Sequence, residues 1–106
     1  MKDNRLSITE AEFAGQIKQL AATFGYSYHH TWISIRSPAG FPDCTLAKPG
    51  RLIFAELKSE IGKVSAKQQE WLDALTATGK AEVYLWRPSQ FDEIAEILRA
   101  DPRVGK

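Results

Sequence analysis

Apolar residues recur every three or four positions between residues 9 and 24. Phe13, Ile17, Leu20 and Phe24 fall on one side, and Glu12, Gln16, Gln19 and Thr23 on the other. That period predicts an amphipathic helix. Thr9 with Glu12 has the spacing of a capping box, Ile8 with Phe13 that of a hydrophobic staple, and Gly25 follows as a C-cap. Residues 26–32 read as a strand, and residues 34–41, with Pro38, Ala39 and Gly40, as a loop. Residues 51–58, Arg-Leu-Ile-Phe-Ala-Glu-Leu-Lys, are rich in strand formers and too short for a helix. After a loop at 59–64, Ser65 caps a helix running to about residue 78, with Trp71, Leu72 and Leu75 as its apolar face and Gly79 as its stop. Residues 81–86 alternate as a strand. Ser89 caps a third helix over Phe91, Ile94, Ala95 and Leu98, with Asp92 completing another capping box.

Between the first strand and residue 51 lies Cys44-Thr45-Leu46-Ala47, then Lys48-Pro49-Gly50-Arg51. Pro followed by Gly marks a turn, because Pro fixes φ at the first central position and Gly accepts a positive φ at the second. If Lys48 and Arg51 close a hairpin, counting outward residue by residue brings Asp43 opposite Glu56. Opposed residues have Cβ atoms about 5 Å apart, close enough for two carboxylates to share one hard cation. Side chains alternate along a strand, so Glu56 and Lys58 share a face and Leu57 points into the opposite layer. Primed turns are the commoner two-residue hairpin connection, and a bulge would slip this register by one.

Taken separately, Glu-x-Lys on a strand is ordinarily a solvated pair, and Pro-Asp ordinarily opens a turn. The run Leu52-Ile53-Phe54-Ala55 changes that weighting, because it reads as a buried central strand. A carboxylate and a lysine at the end of such a strand need a partner, since burying lone charges is costly. A divalent cation is one. Two carboxylates on a cation, with an ammonium beside a water, are the parts required to hydrolyse a phosphodiester.

Gly40-Phe41-Pro42-Asp43, Glu56-Leu57-Lys58, and then Gly62, Ser65, Gln68 and Trp71 resemble the VRR-NUC family of the PD-(D/E)XK nuclease superfamily. The resembled pattern is G-x-P-D, E-x-K and S-x-x-Q-x-x-W. The likeness extends upstream through Glu10 and Phe13 and downstream through residues 83–88, nearly the whole chain. Cys44 stands where the family usually has an aliphatic residue. The resemblance implies an α/β, restriction-endonuclease-like core in the order α-β-β-β-α-β-α, with a central mixed sheet flanked by helices. It also implies dependence on Mg²⁺ or Mn²⁺ and phosphodiester hydrolysis. Asp43, Glu56 and the carbonyl of Leu57 would hold the metal, Lys58 would position water, and Gln68 would fix geometry. Stand-alone members are similar to small phage and prophage proteins that act as homodimers on branched, Holliday-junction-like DNA.

Glu10 lies on the apolar face of the first helix, where an acid either reaches a metal centre, through water or by holding a second cation, or simply complements the helix dipole. Its spacing to Phe13 matches the family's helix-one glutamate. Gln68 shares the apolar side of the second helix and Gln69 does not. Its amide either orients a water or is satisfied at the core's edge. His29 and His30 face opposite sides of a strand, so both cannot bind one ion. His30 is the one expected beside the site, against phosphate or the attacking water, and His29 is expected to be structural. Trp32, Trp71 and Trp86 have aromatic faces suited to bases, but each sits in an apolar pattern and is expected in the core.

At 106 residues, with 43% hydrophobic content, the chain is expected to form one domain, residues 1–106. No apolar stretch is long enough to span a membrane. The first residues lack a signal-peptide pattern, and the lone Cys44 fits a reducing compartment. A cytoplasmic protein of a bacterial host is therefore expected, and the resemblance implies phage or prophage coding. Net charge is only +1, yet residues 29–67 carry six cations against three acids and the remainder eight against ten. A basic middle segment suits nucleic acid as well as a plainly solvated surface. Arg36, Lys63 and Lys67 are the candidate phosphate contacts. Two further readings remain open: a nuclease subunit targeted by a partner in restriction or repair, and a non-catalytic DNA-binding module.

Overall fold

The computed structural model describes residues 7–32 and 38–100. Helix α1 (Glu10–Thr23) is followed by strands β1 (Ser27–His30), β2 (Cys44–Lys48) and β3 (Arg51–Leu57). Helix α2 (Ala66–Ala77), strand β4 (Glu82–Trp86) and helix α3 (Phe91–Arg99) complete the order α-β-β-β-α-β-α. The sheet runs β1-β2-β3-β4, with β1, β2 and β3 antiparallel and β4 parallel to β3. This is the mixed α/β architecture expected from the sequence.

Local chemistry sets the boundaries. Thr9 and Glu12 form the capping box of α1. Ser65 and Gln68 form another at α2, so Gln68 is a capping residue as well as a member of the inward side. Gly25 and Gly79 follow these two helices with φ of 82° and 67°, the left-handed conformation that ends a helix at little cost when no Cβ is present. The third helix starts differently from expectation. A 3-10 turn, Pro88–Gln90, precedes it, and Gln90 occupies the N-cap without a side-chain cap bond. Pro88 fixes φ at the start of that turn, and Gln90 Oε1 accepts from the Arg87 amide at 2.8 Å instead. The Ser89–Asp92 capping box is therefore absent.

The hairpin has the register read from the turn: Lys48 pairs with Arg51, and Cys44 with Ala55. Gly50 takes φ 81°, which is what a Pro-Gly turn of the unprimed type II kind requires. Alternation then separates two faces. Cys44, Leu46, Ile53, Ala55, Leu57 and Trp86 join Phe13, Ile17 and Ala21 of α1 and Ile94 and Leu98 of α3 in one core, with Tyr28 packed against it. Each large aliphatic side chain sealed there contributes about 1.5–3 kcal/mol of transfer free energy. Phe54 emerges on the other face, where Phe41 bridges edge-on between it and Trp71 of α2, with ring centroids 5.8 and 5.0 Å apart.

The two ends of the sheet differ. At the hairpin end, Arg51 donates to both carboxylate oxygens of Glu82, to the Tyr26 hydroxyl and to the carbonyls of Ile97 and Ala100, tying the last turn of α3 to the strands. At the other end β1 and β3 finish, α1 and α2 begin, and the uncommitted polar side chains collect. Among the described residues no helix is long and apolar enough to cross a membrane.

Candidate active site

The β2–β3 register, continued one residue past the ladder, places Asp43 opposite Glu56. Asp43 is held twice. Its carbonyl accepts from the Thr31 amide at 2.7 Å, and its Oδ2 accepts from the Leu57 amide at 2.8 Å. The Asp43 side chain thereby takes the place of a backbone acceptor where the ladder ends, and its carboxylate is fixed beside Glu56. Leu57 keeps its side chain in the core, 1% exposed. Glu56 and Lys58 point to the other face, with Lys58 Nζ 3.8 Å from Glu56 Oε2.

Glu56 is 1% exposed, and its Oε1 is buried with no hydrogen-bond donor. Burial pushes its carboxyl up to about 8; the Asp43 charge and a hydrogen bond with Asp43 add to this, Lys58 opposes it, and Glu10 adds a smaller upward push. At 3.8 Å the ammonium is beyond hydrogen-bond reach, so it offsets desolvation and a neighbouring carboxylate only in part. The same surroundings, burial above all, raise the Cys44 thiol, which is inert on the core side.

A cavity of about 820 Å³ opens over this pair. Its lining includes Glu10, His29, Thr31, Trp32, Asp43, Glu56, Gln68 and Trp71, with Pro38, Ala39, Gly40 and Phe41. Gly40 explains how the loop reaches it. Its φ is 98°, and a Cβ there would meet the Lys67 carbonyl carbon and oxygen at 2.7 Å. Only glycine lets this loop lie against the first turn of α2, and Phe41 and Asp43 follow from that placement.

The structure therefore brings Asp43, Glu56, Lys58, Glu10 and Gln68 to one end of the sheet. Glu10 is the first residue of α1, exposed and on the cavity wall. Gln68 lines the cavity while its Oε1 accepts from the Ser65 amide at 2.9 Å; Gln69 instead donates to Asp73. The histidines are reversed from expectation. His29 pairs with Thr45 and lines the cavity, whereas His30 pairs with Cys44 on the core side and packs edge-on against Trp32. Which parity faces the site depends on the pairing of β1 with β2, and residues 26–32 carry no sign of it. Trp86 is buried as expected, but Trp32 is 79% exposed on the cavity rim. Lys63 and Lys67 are exposed near the start of α2, and Arg36 lies outside the described residues.

The site's donors can be weighed against a divalent cation. Among the described residues no three His, Cys, Asp or Glu side chains cluster as a closed metal site. Two carboxylates and a backbone carbonyl leave most positions to water and phosphate oxygens, the coordination that Mg²⁺ favours. The orphaned Glu56 Oε1 is an acceptor that a cation would satisfy. The residues fit.

No protein-family model and no curated protein matches the chain. A solved structure described as a VRR_NUC domain protein superposes with a TM-score of 0.63, covering 92% of this chain and 91% of that one at 15% identity. The chain thus has the fold of a VRR-NUC domain.

Proposed function

We propose that the protein is a divalent-metal-dependent DNA endonuclease that hydrolyses phosphodiester bonds. The observation that carries this reading is the buried Glu56 carboxylate beside Asp43, with one oxygen unpartnered and Lys58 alongside. A carboxyl group raised by burial and a like charge, at the floor of an open cavity, is a candidate functional group. The fold shared with a VRR_NUC domain protein supports the same reading.

Asp43, Glu56 and the carbonyl of Leu57 would hold Mg²⁺ or Mn²⁺. Such a cation, when bound, polarises a phosphate oxygen and acidifies a water. The remaining roles belong to the chain. Asp43 presents a carboxylate already oriented by the Leu57 amide. Lys58, with its side chain 11% exposed, holds the attacking water and stabilises charge growing on the phosphate. Glu10 adds negative charge at the rim, and Gln68, anchored by its capping bond, fixes the wall beside the phosphate. Lys63 and Lys67 contact the backbone of the nucleic acid.

Selectivity in this reading comes from symmetry. A homodimer sets two such sites at a fixed separation, which only certain branched DNA shapes satisfy. The test is a panel of linear, flapped and four-way DNA with Mg²⁺, Mn²⁺ or EDTA, combined with solution mass and competition between junction and duplex. Metal-dependent cutting of branched DNA by a dimer is expected. A monomer that cuts plain duplex equally well would remove the shape selection, and no cutting of any substrate would remove the enzyme.

A further inference from the structure

Trp32 is the largest of the exposed hydrophobic side chains among the described residues. It is 79% exposed, while Trp86 is 1% exposed and Trp71 is partly covered by Phe41. Leaving an indole in water forgoes the burial that usually places it inside. The ring is nevertheless held. His30 packs against it edge-on, with centroids 4.7 Å apart. It stands on the rim of the cavity that has Asp43 and Glu56 at its floor and Trp71 and Phe41 on its walls. A second depression of about 430 Å³, lined also by Lys67, Glu70 and Ala74, shares Pro38, Ala39 and Trp71 with the first and continues it along α2.

We infer that Trp32 is a stacking platform for a nucleobase next to the scissile phosphate, so the strand that enters the cavity is unpaired at that nucleotide. The inference rests on the nuclease reading and adds its specificity element. A base has a π face whatever its identity, so such a platform selects for an unstacked base and not for a sequence. A base inside an intact duplex is already stacked on both sides and does not offer that face. Within each protomer, the platform then adds a preference for flaps, forks and junction arms to the selection that dimer symmetry provides. The cavity volume accommodates one nucleotide, in the range of ordinary ligand sites. The shared cavity with the carboxylate pair favours a nucleic acid here over a protein surface. Ile61 is comparably exposed, at 81%, but does not line the cavity, and it supplies a control.

The experiment measures binding of short labelled single-stranded and duplex DNA in Ca²⁺, by fluorescence anisotropy, for wild type, Trp32→Ala, Trp32→Phe and Ile61→Ala. One abasic nucleotide is moved along the single strand in parallel. Loss of one base-stacking contact corresponds to roughly 5- to 150-fold weaker binding. Trp32→Ala is expected to lose that much on the single strand and little on the duplex, with Trp32→Phe largely restored and Ile61→Ala unchanged. An abasic nucleotide at one position should weaken wild type and leave Trp32→Ala unaffected, an arm that requires no variant to detect the contact. Equal binding by wild type and Trp32→Ala, or equal losses on single strand and duplex, overturns the platform while the nuclease stands. A drop in solution mass for Trp32→Ala with unchanged DNA binding overturns it in favour of a protein interface. Failure of wild type to bind any DNA overturns the nuclease reading itself.

Discussion

Replacing Glu56 by Gln should stabilise the metal-free protein, and only above a definite pH. Gln keeps the shape and removes the charge. The folded Glu56 carboxyl is raised from 4.5 to about 8, chiefly by burial and secondarily by Asp43, whereas in the unfolded chain it titrates near its ordinary value. Between these two values the unfolded state has released a proton that the folded state retains. Unfolding then releases protons, so stability falls as pH rises across that interval. Below pH 4.5 both states hold the proton and nothing is lost; above 8 the full loss is present. Each tenfold change in proton affinity is worth roughly 1.4 kcal/mol, so the loss is on the order of 5 kcal/mol, a large part of the total stability of a chain this size. Urea denaturation in EDTA, repeated from about pH 4.5 to about 8.5, measures it. Wild type should weaken with pH more steeply than Glu56→Gln, with the two converging at the acidic end. Added Mg²⁺ or Mn²⁺ should close the gap at the alkaline end by stabilising wild type alone. Parallel profiles for the two proteins would refute the buried carboxyl with one unpartnered oxygen on which the site is built.

Other substitutions separate chemistry from scaffold. Asp43→Ala and Lys58→Ala should each abolish metal-dependent cleavage while the far-ultraviolet circular dichroism stays native, because neither side chain belongs to the core. Gly40→Ala should cost about 1–3 kcal/mol in thermal or urea melts, since the new Cβ meets the Lys67 backbone at 2.7 Å and φ is 98°; a neutral result would contradict the close approach of loop and helix. Arg51→Ala should cost about 2–4 kcal/mol by leaving Glu82, the Tyr26 hydroxyl and the α3 carbonyls without their shared donor. Cleavage per folded molecule should be unaffected by that change, because Arg51 lies at the opposite end of the strands.

What could be read in the sequence was whatever local geometry determines. A Pro-Gly turn fixes the pairing of the two strands beside it, so the opposition of Asp43 and Glu56 followed from counting. Thr9 and Ser65 marked their helix starts because capping acts over three residues. Non-local choices were less legible. The parity of β1 depends on docking against β2, which is why His29 and not His30 reaches the cavity. Trp32 looked like core because an apolar pattern does not show where a strand runs out of sheet to cover it. The close approach at Gly40 depends on a helix more than twenty residues away in sequence. Ser89 with Asp92 has capping-box spacing, but Pro88 starts a 3-10 turn there and Gln90 caps Arg87 instead.

The central claim is that Asp43, Glu56 and Lys58 form one metal-dependent hydrolytic site, and the most direct test is cleavage of flapped DNA by wild type and Lys58→Ala purified side by side. Lys58→Ala leaves both carboxylates in place, so it removes the ammonium without removing the proposed metal donors. Wild type should cut in Mg²⁺ or Mn²⁺ and be silent in EDTA, and the variant should bind the same DNA and leave it intact. Cleavage by wild type in EDTA, or equal cleavage by the variant, would contradict the account.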